Sequence, residues 1–153
     1  MIEMKARKGD ITKAESGLIL HQVNCQGVMG AGVARAIRNK WPEVYTEYTE
    51  FCDTHYGSHG DGLLGSFSIT PVKHNIWVGN LFGQKFFGRG QRYTSYDALD
   101  SSLKLAADWC NSHCVTDIHF PQIGCGLGGG EWWIVENLIQ GNLKDFNLTY
   151  WTL

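Results

Sequence analysis

Glycine gathers at two places where a strand-like run gives way to a helical pattern. The first glycine loop, residues 24–33, follows the apolar run 17–23 and leads into a helical pattern. The second glycine loop, residues 123–130, has glycine at five of the seven positions from 124 to 130. Because glycine lacks a Cβ, the backbone N–H groups at the start of the next helix stay open to a close neighbour. Two such junctions favour an α/β domain that holds an anion, although glycines that only form tight turns remain an alternative.

The composition places these glycines in a packed domain. The 153 residues include 19 glycines and 3 prolines, are 43% hydrophobic and 12% aromatic, and carry a formal net charge of −2. This content argues against disorder, and the absence of a Gly-X-Y period excludes collagen. The small negative charge disfavours a histone-like or polybasic role on nucleic acid. The length predicts one domain over residues 1–153.

The cysteines and the hydropathy pattern bear on the cellular location of the protein. The five cysteines form no dense framework, which is typical of free thiols in a reducing compartment. No apolar run reaches the length of a membrane span, and the first ten residues lack the apolar stretch of a signal peptide. We therefore expect a cytoplasmic monomer without a membrane partner.

Strand and helix patterns alternate along the chain, which predicts an α/β sandwich. Thr94, followed by Asp97, resembles a capping box at the start of the third helix. Strands are expected over residues 2–7, 17–23, 66–70, 76–82, 117–123 and 147–151, and helices over 33–41, 44–55, 94–110 and 131–145.

Other nucleotide and metal motifs fit poorly. Gly124, Gly126 and Gly129 match G-x-G-x-x-G, but the next strand ends the chain without an acidic residue for a ribose. No G-K-[ST] of a P-loop occurs. Gly57 interrupts the helix that would align His55 with the histidine and aspartate that follow at 59 and 61, so we expect no metal.

Three motifs in order along the chain resemble those of the macro domain family, which binds ADP-ribose. Gly9-Asp10-Ile11-Thr12 resembles its first loop, residues 24–33 its distal-ribose loop, and residues 123–130 its diphosphate loop. The resemblance spans nearly the whole chain and implies a single macro domain, a three-layer α/β/α sandwich with a mixed central sheet. Asn24-Cys25-Gln26-Gly27 and the ending 149–153 are most similar to the branch with ADP-ribose 1″-phosphate phosphatases and ADP-ribosyl-glutamate hydrolases.

The resemblance implies a role for particular side chains. Asp10 would accept a hydrogen bond from the adenine amine beside the N–H of Ile11, or it is only a turn or N-cap residue. Trp151 would lie beside adenine, or it is a core tryptophan. Asn24 would be the catalytic residue, binding the distal ribose and positioning water, or it is only a turn residue. The diphosphate and ribose would be surrounded by the backbone of Gly30, Ala31, Gly32, Val33, Ile123, Gly124, Cys125, Gly126, Leu127 and Gly128.

One departure from the family pattern affects the expected reaction. The glutamate-linked hydrolases of this branch use a lysine and an aspartate, and the aspartate falls where this chain has Gly128. Lys85 lies near the expected lysine, in a stretch that aligns loosely. The prediction is therefore a phosphatase that converts ADP-ribose 1″-phosphate to ADP-ribose and phosphate without a cofactor. The alternatives are a hydrolase that acts on ADP-ribosylated protein or nucleic acid, and a non-catalytic ADP-ribose reader.

A single stretch combines basic and aromatic residues. Arg89 and Arg92 occur among Phe86, Phe87 and Tyr93, between a predicted strand and a predicted helix. Such a stretch can shape a lid over a nucleotide or contact RNA, and an exposed loop without either role is the alternative.

Overall fold

Six strands form one sheet in the computed structural model, which describes residues 4–54 and 62–153. The strands are β1 Met4–Lys8, β2 Gly17–Asn24, β3 Phe67–Lys73, β4 Ile76–Gln84, β5 Asp117–Phe120 and β6 Asn147–Thr152. The helices in these ranges are α1 Gly32–Lys40, α2 Pro42–Thr54, α3 Tyr96–His113 and α4 Trp132–Asn142. The pattern expected at residues 55–61 and the first two positions of the expected first strand lie outside the described residues.

The sheet is mixed, and its strand order is β1-β6-β5-β2-β4-β3. Only β3 runs antiparallel to its neighbour, so the other five strands end at the same edge. Asp10 follows β1, the first glycine loop follows β2, and the second follows β5. Open α/β sheets bind ligands outside the carboxyl ends of their strands, so this edge is the place for a site.

Helices cover both faces of the sheet and confirm the three-layer α/β/α sandwich. On one face, Ile37 of α1 and Tyr48 of α2 are buried against Ile19 of β2. On the other, Leu103 of α3 and Ile139 of α4 belong to a second buried cluster. Strand β2 lies between the two layers, which explains why its sequence is apolar on both faces rather than alternating.

The fifth strand ends earlier than the sequence pattern predicts. The expected strand 117–123 stops at Phe120, because Pro121 has no N–H with which to continue the parallel ladder. Ile123 is still buried, but it lies in the turn that begins the second glycine loop. The apolar run therefore continues past the end of the strand.

The start of the third helix also differs from the prediction. Ser95, not Thr94, is its N-cap, and the Ser95 hydroxyl accepts a hydrogen bond from the Ala98 N–H at 3.2 Å. Thr94 instead bonds to the second glycine loop.

The described part of the chain lacks two kinds of feature. Within residues 4–54 and 62–153, no helix is long and apolar enough to cross a membrane. The same residues contain no group of three or more His, Cys, Asp or Glu side chains that could hold a metal ion.

Candidate functional site

Asn24 folds the first glycine loop around its side chain. It is the last residue of β2 and is buried. Its Oδ1 accepts hydrogen bonds from the backbone N–H of Gln26 at 2.9 Å and of Val28 at 3.4 Å, and its Nδ2 donates to the Val28 carbonyl at 2.8 Å. An amide suits this position because it accepts through oxygen and donates through nitrogen. The loop uses one N–H of the amide, which leaves the second N–H for a ligand.

Two tyrosines of α2 hold the same loop by hydrogen bonds. The hydroxyl of Tyr48 lies 2.6 Å from the carbonyl oxygen of Asn24 and 2.9 Å from its Oδ1. Burial raises the pKa of Tyr48 well above its ordinary value, so the phenol stays protonated and can donate. The hydroxyl of Tyr45 donates to the Gly27 carbonyl at 3.2 Å. Sequence reasoning placed both tyrosines on one helix stripe but missed these contacts, because they depend on how α2 packs against β2.

Replacing Tyr48 by phenylalanine should lower the free energy of unfolding by about 1–3 kcal/mol, because Asn24 loses the single buried O–H that its carbonyl oxygen and its Oδ1 share. Urea unfolding measures this loss, and amide hydrogen exchange at Gln26 should become faster. Tyr45→Phe is the matched control and should cost less, since Tyr45 is only half-buried. Equal losses in the two variants would contradict the anchoring role of Tyr48.

Thr94 and Gln22 support the second glycine loop. The Thr94 hydroxyl donates to the Gly124 carbonyl at 2.8 Å and accepts from the Gln22 amide at 2.9 Å. The backbone N–H groups of Thr94 and of the residue before it both donate to the Gly128 carbonyl, at 3.0 and 2.8 Å. Gln22 also donates to the Gln84 side chain at 2.7 Å. Sequence reasoning assigned Thr94 to a helix cap and gave Gln22 no role, since both contacts join distant parts of the chain.

Gly128 is packed too closely to carry a side chain. A Cβ on Gly128 would lie 2.6 Å from the Thr94 hydroxyl and 2.8 Å from the Gly124 carbonyl oxygen. A Cβ on Gly126 would meet nothing within 4 Å. The aspartate that the glutamate-linked hydrolases keep at this position is therefore sterically excluded by the present loop conformation.

The helices that follow the two glycine loops have no side-chain caps. Neither Ala31 before α1 nor Glu131 before α4 makes a side-chain cap hydrogen bond, whereas Ser95 caps α3. The first N–H groups of a helix have no partner within it, and its dipole is positive at that end. Backbone at both loops can therefore donate to an anion.

Two other side chains at these loops bear on the choice of nucleophile. Burial raises the pKa of the Cys125 thiol to about 11, and this thiol donates to the Ile123 carbonyl. The thiol is therefore protonated at neutral pH and is a poor nucleophile. Lys85 lies with its Nζ 5.6 Å from the centroid of the Phe86 ring, and position 128 offers it no carboxylate partner.

Asp10 is exposed at the carboxyl edge of the sheet. One of its oxygens, Oδ1, accepts from the Thr12 N–H at 2.9 Å and from the Thr12 hydroxyl at 2.7 Å. The hydrogen bond from the Thr12 hydroxyl holds the pKa of Asp10 below its ordinary value, so the carboxylate is ionised at neutral pH. Asp10 caps the short 3₁₀ helix Ile11–Lys13, and its second oxygen can accept from a ligand.

Trp151 is 4% exposed and lies beneath Arg7. The indole N–H donates to Nδ1 of His119 at 3.0 Å, and the Arg7 guanidinium lies 4.4 Å from the ring centroid. Nε2 of His119 lies 2.8 Å from the Ser16 carbonyl, so this nitrogen carries the proton and Nδ1 is the acceptor. Contact between the Trp151 ring and adenine stays a prediction.

Comparisons with known proteins agree on the family and on the fold of this chain. A family model of the Macro domain matches residues 20–139, which include both glycine loops. An ADP-ribose 1″-phosphate phosphatase of Meyerozyma guilliermondii is 38% identical over 166 residues, covering 92% of this chain and 94% of that protein. A DNA ADP-ribosyl glycohydrolase of Mycobacterium tuberculosis is 27% identical over 134 residues, covering 84% of this chain and 35% of that protein. The structure of a macrodomain protein from Streptomyces coelicolor has a TM-score of 0.81 at 28% identity and covers 99% of each chain.

Proposed function

Because the chain belongs to the macro domain family, we propose that it binds ADP-ribose between its glycine loops and hydrolyses ADP-ribose 1″-phosphate to ADP-ribose and phosphate. The observation that carries this proposal is the pair of glycine loops. They leave neighbouring strands β2 and β5 at one edge, and each leads into a helix without a side-chain cap. Two helix N-termini at the same edge of the sheet suit a diphosphate.

Each part of the ligand has a group that suits it. The second oxygen of Asp10 would accept from the adenine amine, since an ionised carboxylate is only an acceptor. Backbone of Gly32 and Val33 on one side, and of Gly126 on the other, would donate to the diphosphate. The remaining N–H of Asn24 would face the distal ribose and its 1″ substituent.

Hydrolysis of the phosphomonoester needs no protein nucleophile. The oxygen of a water molecule would attack phosphorus, and the bond between phosphorus and the oxygen on C1″ would break. Phosphate would leave, and the oxygen on C1″ would take a proton to become the hydroxyl of ADP-ribose. Asn24 would orient the water or the ribose, and the helix N-termini would stabilise negative charge in the transition state.

The second candidate is removal of ADP-ribose from a macromolecule. The related mycobacterial protein is named as a DNA ADP-ribosyl glycohydrolase, which favours this reading. The exclusion of a side chain at Gly128 argues against the lysine and aspartate mechanism of the glutamate-linked hydrolases. A reader without catalysis is the remaining alternative.

Phosphate release from ADP-ribose 1″-phosphate tests the proposal directly. Asn24→Ala should lower kcat at least tenfold, because the group that orients the reactants is removed. Asn137→Ala, on the exposed face of α4, is the matched control and should leave kcat unchanged. Circular dichroism checks that both variants are folded, since Asn24 also shapes its loop.

The outcomes separate the candidates. Tight ADP-ribose binding by calorimetry, without release of phosphate or of ADP-ribose from modified protein or DNA, would favour the reader. Release of ADP-ribose from a modified macromolecule without phosphatase activity would favour the glycohydrolase. If the wild-type chain did not bind ADP-ribose, the whole proposal would be wrong.

A further inference from the structure

Residues 85–94 join β4 to α3 and present exposed aromatic rings and positive charge. We call them the bridge segment. Phe86 is 54% exposed and Phe87 is 50% exposed. The segment carries Lys85, Arg89 and Arg92 but no aspartate or glutamate, in a chain whose net charge is −2. The proposed phosphatase reaction uses neither these rings nor these charges.

The backbone beneath the two rings is fixed at both ends. At one end, the Cys25 N–H donates to the Lys85 carbonyl, and the Phe87 N–H donates to the side chain of Gln26 at 3.1 Å. At the other end, the N–H groups of the last two residues donate to the Gly128 carbonyl. The segment therefore touches both glycine loops, while its phenylalanine rings face solvent.

Other exposed apolar groups lie on the same connected segments. Of the seven large hydrophobic side chains exposed among residues 4–54 and 62–153, four are on the bridge segment and the glycine loops. They are Val28, Phe86, Phe87 and Leu127. Contiguous exposed apolar patches mark binding surfaces, and these four side chains lie on segments that are hydrogen-bonded to one another.

We propose that the bridge segment binds single-stranded nucleic acid, with unpaired bases stacked on Phe86 and Phe87 and with phosphates beside Arg89. Aromatic rings stack on any base, and neighbouring cations contact the backbone, which is how single strands are bound without sequence preference. A duplex presents base edges in its grooves rather than free base faces, so it does not use such rings. An acidic peptide would use the charges but not the two adjacent rings.

This surface goes beyond the proposed function, because free ADP-ribose 1″-phosphate has no part that must extend beyond the glycine loops. The surface lies beside the proposed ADP-ribose site because its backbone bonds to both glycine loops. A base that carries an ADP-ribose group could therefore stack on the bridge segment while the ADP-ribose occupies the loops.

The test uses the full chain and a fluorescently labelled single strand of about 20 nucleotides, with binding followed by anisotropy. Phe86→Ala and Phe87→Ala should each weaken binding about tenfold, the loss expected for one stacked base. Leu105→Ala is the matched control, because this side chain is 44% exposed on α3, outside the bridge segment and both glycine loops, and should have no effect. A duplex of the same sequence should bind more weakly than the single strand.

Salt dependence tests the contribution of charge. If two or three phosphates are neutralised, affinity should fall about seven- to twentyfold between 50 and 200 mM salt. Arg89→Ala should reduce this dependence, whereas Lys144→Ala, an exposed lysine in the turn after α4, should not.

Four results would overturn the inference: absence of binding at 50 mM salt, equal affinity for duplex and single strand, unchanged affinity in both phenylalanine variants, or equal competition by an acidic peptide. Phosphate release from ADP-ribose 1″-phosphate is measured on the same preparations and should be unchanged in Phe86→Ala and Phe87→Ala. If the wild-type chain released phosphate but did not bind the single strand, the bridge surface alone would be wrong; if it bound the single strand but released no phosphate, the phosphatase alone would be wrong.

Discussion

Gly128→Ala is expected to lower the free energy of unfolding by about 3 kcal/mol, near the upper end of the cost of overpacking. The added methyl group would lie 2.6 Å from the Thr94 hydroxyl and 2.8 Å from the Gly124 carbonyl oxygen. Neither atom can move away easily, because the Thr94 hydroxyl is hydrogen-bonded to the Gly124 carbonyl oxygen. The Gly128 carbonyl also accepts hydrogen bonds from two backbone N–H groups of the bridge segment. The variant should also lose affinity for ADP-ribose. Urea unfolding and calorimetry measure the two effects.

Gly126→Ala is the matched control for this experiment. It adds the same methyl group to the same loop, where nothing lies within 4 Å. Its stability should change by no more than about 0.5 kcal/mol. If Gly128→Ala were as stable as Gly126→Ala, the close packing at Gly128 would not constrain the loop.

A second large effect is expected when the pH is lowered, and its source is His21. This side chain of β2 is buried, and its Nε2 lies 2.6 Å from Oδ1 of Asn80. Burial lowers the pKa of His21 to about 4. Its Nδ1 has no hydrogen-bond partner among the described residues, so protonation there would place an uncompensated charge in the interior.

The sign of the effect follows from the two pKa values. In the unfolded chain, His21 takes up a proton below about pH 6.5, whereas the folded protein takes it up only near pH 4. Stability is therefore complete above pH 6.5 and falls as the pH drops toward 4. The linkage relation gives a loss of about 2 kcal/mol between pH 8 and pH 5. Burial also lowers the pKa of His119, which adds to the loss in the same direction.

Urea unfolding at pH 8 and pH 5 measures this loss in the wild type and in His21→Gln. The glutamine amide can still donate to Asn80 but does not titrate, so most of the pH dependence should disappear. His113→Gln, at an exposed position of α3, is the control and should retain it. A wild-type stability that does not change between these two pH values would refute the role of His21.

The fold could be predicted from the sequence because its main signals are local. The run 17–23 is apolar on both faces because β2 lies between two helical layers, and the helices have apolar stripes that face the sheet. The sequence pattern extends β5 too far because Ile123 continues the apolar run, although Pro121 before it stops the hydrogen-bond ladder after Phe120. The apolar pattern indicates which residues are buried, and buried residues continue beyond the end of β5.

The candidate site could be located from the sequence but not built from it. The glycines and Asn24 mark the two loops, since their residue types and order are visible in the chain. The groups that shape those loops, Tyr48 and Thr94, come from other elements, and their contacts exist only after packing. Nothing in the sequence around Trp151 indicates that the Arg7 side chain lies over its ring.

The bridge segment links the two glycine loops to each other. Because its two ends bond to different loops, an outward movement of either loop would strain hydrogen bonds of the segment that also holds the other loop. We therefore expect the two loops to move together rather than independently.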